Sequence, residues 1–345
     1  MITNRNKYFW TTLITFLVIS CSSLHANWQT VSYKGKKYIS LQQIKTSFGF
    51  TNYKISGSSH TLTKKGLSLQ LNSGSQKCIL NTVKFEFSYP AVKRGTSLLV
   101  SETDVNKIIT PVLRPTIIKN AKSFRTVVID PGHGGKDAGA VNRYGTEAGY
   151  NLKVGLKLKK LLTAQGFNVV MTRENNTYLS LQQRVSLANR YGNAIFISIH
   201  FNASSRTAAR GLETFTLSPV GVAHYGRGVK SSDYRVLNGN HQDSANIALA
   251  TAIHGRMLER TRSVKVPDRG IKRARFSVLT KIKHPAILIE GGFMSNPTEA
   301  ILIEKKIYQN TVATAICEGV IRYRKALNAS SSSARKSTKP ERLDY

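Results

Sequence analysis

At 345 residues and 41% hydrophobic composition, the chain can bury the cores of two ordinary domains, which excludes global disorder. Lys and Arg total 51 against 18 Asp and Glu, a formal net charge of +33. So large an excess excludes a charge-neutral exterior and calls for a polyanion or an anionic surface as partner, either nucleic acid or an acidic cell envelope.

Arg5 and Lys7 precede a mostly apolar run from Phe9 to Ile19, followed by small and polar residues from Ser20 to Ala26. A basic start, an apolar stretch too short for an ordinary membrane span and a small-residue region together read as an export signal over residues 1–26, against a buried core helix or a short anchor. Cleavage after Ala26 would release a soluble protein. Val18-Ile19-Ser20-Cys21 instead resembles a bacterial lipobox, which would leave a lipid on Cys21. Either outcome places the protein in the periplasm or cell envelope and turns the charge argument away from cytoplasmic nucleic acid. Cys78 and Cys317, far apart in sequence, read as buried thiols and not as half of a disulfide scaffold.

Residues 27–115 read as a small α+β module of short strands and turns. Tyr33-Lys34-Gly35-Lys36-Lys37-Tyr38 has the form of a hairpin, and Ser40 with Gln43 has the form of a helix start. Leu67–Leu71 and Val83–Phe87 alternate with period two, as half-buried strands do. Ser101 and Asp104 precede a helical stretch from Val105 to Val112. His60 reads as a loop residue. With no cluster of His, Cys or carboxylates, this segment reads as a binding or positioning module, against a plain structural extension. Its order of elements resembles the small amino-terminal domain of copper amine oxidases, also found in bacterial wall enzymes.

Pro111, Pro115 and the basic and polar residues after them mark a linker, residues 116–124. From 125 to 326 strands and helices alternate. Strands are predicted at Thr126–Asp130, Asn168–Thr172, Ala194–His200, Leu212–Leu217 and Ala286–Glu290. Helices are predicted at Glu147–Gln165, Ser180–Tyr191, Ser244–Arg260 and Pro297–Lys325. This order predicts an α/β fold, a mostly parallel twisted sheet with helices on both faces. The glycines of Pro219–Asp243 argue for a flexible flap there and against a stable helix, and His224 and His241 within it are not read as ligands. Ser330–Ser333 and the basic residues after them read as part of a disordered tail, residues 327–345.

The chemistry gathers at strand ends. Thr126–Asp130 breaks into Pro131-Gly132-His133-Gly134-Gly135, Ile195–Ile199 ends in His200, and Ile287–Ile289 ends in Glu290 before two glycines. Glu147 opens the first helix on the same edge of the sheet. Singly, His133 is a histidine on a glycine-rich turn, Glu147 a helix-dipole partner and His200 a core histidine. Glu290 is harder to dismiss, because a lone carboxylate after an apolar run needs a partner or a metal. Two histidines and one carboxylate leave zinc an open position for water, and a further carboxylate can move the protons that amide hydrolysis requires.

Val128–Gly135, Phe196–Ala203 and Leu288–Asn296 resemble the signature blocks of the zinc-dependent N-acetylmuramoyl-L-alanine amidases of type 3. Thr172-Arg173, Arg184, Ala188-Asn189 and Arg269-Gly270-Ile271 agree in order. The resemblance implies a peptidoglycan hydrolase that uses zinc-activated water to cut between N-acetylmuramic acid and L-alanine of the stem peptide, in wall remodelling or daughter-cell separation. Carried over by position, His133, Glu147 and His200 would hold Zn2+ and Glu290 would be the catalytic acid/base. Asp130 and Asn151 would orient ligands. Arg269 and Lys272 would either meet stem-peptide carboxylates or be surface cations. Peptidoglycan and an anionic envelope surface are the expected partners, and nucleic acid is not. No residue pattern identifies a protein activator. A wall-binding protein that kept the fold but lost catalysis would lack one of the four site residues, and all four are present.

Overall fold

The computed structural model describes residues 28–115, 118 and 124–336, with side chains up to residue 328. The expected export signal, most of the linker and the end of the tail lie outside the described residues. The chain opens with β1 (Thr30–Tyr33) and β2 (Lys36–Ser40), joined by a turn with Lys34 at φ +46° and Gly35 at φ +69°. The Ser40 hydroxyl caps α1 (Leu41–Phe48), which Gly49 ends in the left-handed region. Then come β3 (Asn52–Ser56), β4 (Ser59–Lys64), β5 (Leu67–Asn72), β6 (Lys77–Leu80), β7 (Val83–Glu86), β8 (Val92–Arg94) and β9 (Ser97–Ser101). Ser101 caps α2 (Glu102–Asp104), which runs through a π turn at Val105–Ile109 into α3 (Thr110–Leu113). His60, expected in a loop, lies buried in β4, where period-two alternation turns it to the inner face and the Tyr53 hydroxyl sits 2.6 Å from its Nδ1.

The second part contains β10 (Thr126–Pro131), β11 (Val141–Asn142), β12 (Gly145–Thr146), α4 (Glu147–Ala164), β13 (Asn168–Met171), α5 (Leu181–Ala188), β14 (Ala194–Asn202) and β15 (Leu212–Leu217). It continues with α6 (Asp243–Arg260), β16 (Asp268–Ala274), α7 (Ser277–Lys281), β17 (Ala286–Phe293), α8 (Pro297–Glu304) and α9 (Lys306–Lys336). The one helix expected over 297–325 is two. Lys305 is extended, and the Gln309 side-chain amide takes up the carbonyls of Ile303 and Glu304 that the break leaves free. Helix α9 continues past position 326 through the serines to Lys336.

Strands β13, β10, β14 and β17 are parallel neighbours, as the βα alternation predicts. Every residue of β10 is buried, the pattern of a central parallel strand covered on both faces. Helices α4, α6 and α9 share one core with the sheet, through residues such as Leu158, Ile253 and Ile316. Helices α5 and α7 cover the other face through Val185, Val278 and Leu279. Strand β15 departs from the parallel expectation: it runs antiparallel to β17, with β16 parallel beside it.

The sheet does not stop at β16. Ile271 pairs with Phe85 of β7, and the meander β7–β3 extends the sheet to eleven strands. Asp268 pins this seam. Its Oδ2 accepts the Lys84 backbone N–H and its carbonyl accepts the Lys84 ammonium, each at 3.0 Å. Its Oδ1 lies 3.0 Å from Nε2 of the buried His254, whose Nδ1 is 2.9 Å from the Thr214 hydroxyl.

Candidate active site

Strands β10 and β14 end side by side, and the Gly132 N–H donates to the Ile199 carbonyl at 3.0 Å. The next residue, His133, has φ +60°, a left-handed conformation that a non-glycine residue holds only when its surroundings enforce it. The glycines here are dictated by crowding. A Cβ on Gly132 would sit 2.1 Å from the His200 ring, and one on Gly139 would sit 2.6 Å from Glu147 Oε2. Thr146 caps α4 and sets Glu147 in its first turn, with the Glu147 N–H bound to the Ala140 carbonyl.

These elements bring the three predicted ligands together. Glu147, 6% exposed, places Oε1 3.1 Å from His133 Nε2 and 2.8 Å from His200 Nδ1. One donor atom from each residue fits within 4.8 Å of the others, the single such cluster among the described residues. Burial alone would raise the Glu147 carboxyl, but the hydrogen bonds from His133 and His200 outweigh it and hold the group well below the usual carboxylate range. The bond to Glu147 raises His133 against the opposing effect of burial. Asp137, which the sequence reading passed over, places Oδ2 2.9 Å from His133 Nδ1 and so orients the ring. The only hint to it was its position four residues after His133.

Glu290 stands opposite His200 in the strand register. Burial, then the charges of Glu147 and Glu213, push its carboxyl well above the usual range. Its Oε2 is buried without a hydrogen-bond partner. A bare buried acceptor is costly, and here it sits beside the three-residue cluster.

Glu213 on β15 was not singled out in the sequence either. It pairs with Glu290 across the strands, is 3% exposed, and accepts from Asn202 at 3.0 Å. Its Oε1 also takes Arg269 and the buried Lys272 ammonium. Both cations considered for stem-peptide carboxylates are therefore held by a carboxylate of the chain itself. Lys272 in addition lies 4.2 Å from the Tyr225 ring centroid.

Asp130 touches none of the three clustered residues. It accepts from Thr172 at 2.7 Å, Ser198 at 2.9 Å and Arg184 at 2.8 Å, and Arg184 donates onward to the His133 carbonyl. Arg173 braces the same turn through the carbonyls of Pro131, Gly132 and Ala148, and burial followed by the nearby Arg184 pushes it down to about 10. Asn151 donates to the Gly132 carbonyl at 3.2 Å and approaches Glu147 Oε1 at 3.4 Å.

The segment expected to be a flexible flap is folded around Asp233. This fully buried carboxylate accepts two 2.7 Å bonds from Arg227 and one from the Lys230 N–H, and it lies 2.8 Å from Arg275 Nε. The glycines argue against a stable helix, and only short 3-10 turns form, at Ser231–Tyr234 and Asn238–Gln242. His224 accepts from the Arg275 N–H, and His241 is exposed.

The arrangement pairs a two-imidazole, one-carboxylate donor set with a separate buried carboxyl, as metal-assisted hydrolysis requires. Residues 127–322 match the family model described as N-acetylmuramoyl-L-alanine amidase. The chain is 30% identical over 206 residues to N-acetylmuramoyl-L-alanine amidase LytC of Bacillus subtilis, a match over 60% of this chain and 37% of that protein. It is 30% identical over 227 residues to N-acetylmuramoyl-L-alanine amidase AmiA of Escherichia coli, over 59% of this chain and 78% of that protein. It thus spans little more than a third of the first relative and most of the second. The solved catalytic domain of CwlV, an amidase from Bacillus (Paenibacillus) polymyxa var. colistinus, is 32% identical over 59% of this chain and 99% of that one, with a TM-score of 0.49. With a family match that covers more than half of its length and runs through His133, Glu147, His200 and Glu290, the chain belongs to the N-acetylmuramoyl-L-alanine amidase family.

Proposed function

We propose that the protein hydrolyses peptidoglycan at the amide between the lactyl group of N-acetylmuramic acid and the L-alanine of the stem peptide, as a zinc enzyme of the bacterial cell envelope. The observation that carries this reading is the meeting of three donors within 4.8 Å beside the bare Oε2 of Glu290. Two imidazoles and one carboxylate fit zinc by the chemistry of the donor set, and Asp137 behind His133 is the kind of outer partner that zinc histidines keep. His133, Glu147 and His200 would hold the ion. When bound, zinc supplies a Lewis acid and lowers the pKa of a coordinated water to about 7.

The proton work falls to Glu290. As a carboxylate it takes the proton of the attacking water, and as a carboxylic acid it gives that proton to the departing nitrogen. The C–N bond breaks, water's oxygen stays on the lactyl carbonyl carbon, and a free alanine amine leaves. Arg184 and Arg173, bound to the carbonyls of the 131–133 turn, keep His133 in place throughout.

The basic and apolar start of the sequence supports export to the periplasm or envelope, with Cys21 open to lipid attachment. The acids mostly face inward or are paired: Asp130 with Arg184, Asp233 with Arg227, Asp243 with Lys107, Glu318 with Arg256 and Arg260. What remains outside is cationic, which supports an anionic envelope surface as partner. Residues 27–115 act in this reading as a binding or positioning module.

The test is digestion of purified peptidoglycan, with and without chelator, beside Glu290→Ala. The expected products are intact stem peptides with a free alanine amine, lost in both controls. Cleavage that persists in Glu290→Ala would sink the mechanism.

A further inference from the structure

The row of side chains that carries the site continues past the catalytic sheet. Glu290 pairs with His200 on one side and with Glu213 on the other. Lys272 stands opposite Phe215, two residues from Glu213, and so shares its face. Ile271 and Phe85, paired across the seam, look the other way, which returns Lys84 and Glu86 to the face of the site. From there the register runs Lys84–Ile79, Ile79–Gln70, Gln70–Thr61 and Thr61–Lys54. Charges alternate along the way, since Glu86 lies under the influence of Lys272 on one side and Lys77 on the other.

The two faces of β3–β7 differ sharply. The inner one, with Leu62, Leu69, Leu71, Cys78 and Phe85, is buried in the common core. The outer one leaves Lys54, Gln70, Asn72, Lys77 and Lys84 exposed. Ile79 is the only apolar side chain in that outer row. A polar, cationic surface suits an extended polymer rich in hydroxyls, amides and carboxylates, and it suits an apolar protein partner poorly. Five strand spacings separate Glu290 from Gln70, about 24 Å along a right-handed twisting path.

We propose that the outer face of β3–β7 binds the polymer that is cut: an anionic glycan strand, with sugar hydroxyls and amides against Thr61 and Gln70 and stem-peptide carboxylates against Lys54 and Lys77. The strand then crosses the seam over Tyr225, which covers the buried Lys272, and presents its amide to Glu290. This inference rests on the peptidoglycan reading above and adds a second contact zone to it.

The test uses the full chain and two variants with equal charge change. Lys54→Glu/Gln70→Ala/Lys77→Glu alters the proposed face, and Lys37→Glu/Lys45→Glu alters β2 and α1 elsewhere. Each is assayed on insoluble peptidoglycan and on a soluble disaccharide-peptide monomer, too short to span site and face. Sedimentation with peptidoglycan is measured in a Glu290→Gln background. The face variant is expected to lose about tenfold in kcat/KM and in binding on the polymer, with monomer turnover and thermal stability unchanged. The control variant is expected to keep both activities. Unchanged polymer turnover in the face variant, an equal loss in the control, or an equal loss on the monomer would each overturn the proposal. If the wild type cuts neither substrate, the amidase reading fails, while sedimentation still reports on the face by itself.

Discussion

Replacing Glu213 probes the least expected group near the site. Glu213 and Lys272 are each 3% exposed, and the carboxylate also holds Arg269. Glu213→Ala leaves the Lys272 ammonium buried without its counter-charge, the situation that costs about 3–5 kcal/mol when one partner of a buried pair is removed. Arg269 is more than a third exposed and can turn to water, so its loss adds little. For a catalytic unit of about 200 residues, each kcal/mol lowers Tm by about 2–4 °C, so the fall should be about 6–20 °C. Replacing both partners by apolar residues, Glu213→Leu with Lys272→Met, removes the stranded charge. Most of the stability should return, with a coupling energy of a few kcal/mol. Thermal unfolding followed by circular dichroism on wild type, Glu213→Leu, Lys272→Met and the double variant measures the cycle. A Glu213→Ala protein within about 1 kcal/mol of wild type, or a double variant as unstable as the two single losses combined, would refute the account.

Three further outcomes follow from contacts described above. Gly132→Ala puts a methyl group into the His200 ring and should lower activity by about 100-fold, whereas Gly192→Ala, which meets nothing within 4 Å, should be silent; a fully active Gly132→Ala would contradict the packing. Asp137→Asn takes the carboxylate from behind His133 and should weaken metal retention by about 10–100-fold, read by metal content after dialysis against graded chelator. The paired arginines, Arg227 first, hold the Asp233 carboxyl below the usual carboxylate range. The stability it lends is present above the unfolded value of about 3.9 and is lost as pH falls through the folded one. Proteolytic cleavage within 219–243 should therefore be slow at neutral pH and rise in acid, with Asp233→Asn cut readily at both. Equal resistance of the variant at neutral pH would count against the ion-pair account.

The strand ends were legible because burial writes itself as apolar, β-branched runs. Each of the three runs that end in His133, His200 and Glu290 breaks on a polar residue or glycine, and the parallel register then brings those breaks together. Glu213 was hidden by the same signal. It sits inside a run, Leu212–Leu217, that is buried throughout, and a local reading treats such a run as core. Its role depends on β15 running antiparallel to β17, which no periodicity reveals. Arg269 and Lys272 read equally as substrate contacts or as surface cations, because their partner Glu213 lies more than fifty positions away in sequence. Asp233 was likewise missed: glycines dominated the reading of 219–243, while the arginines that fix the loop are spread from Arg227 to Arg275. The join between β7 and β16 left no trace in sequence at all, since it rests on one paired position, Ile271 with Phe85, and on Asp268 beside it.

That join bears on which strand border the molecule exposes. An outermost strand presents a row of unpaired N–H and C=O groups, a template on which another copy can stack. In this chain β16 is spared that position by β7, and the vulnerable border moves outward to β3, whose five residues are all exposed and include Lys54. A fragment trimmed to begin at Phe124 would bare β16 with Ile271 along it, and is expected to self-associate more than the longer chain. In such a fragment, aggregation would report a missing neighbour and not a defective core.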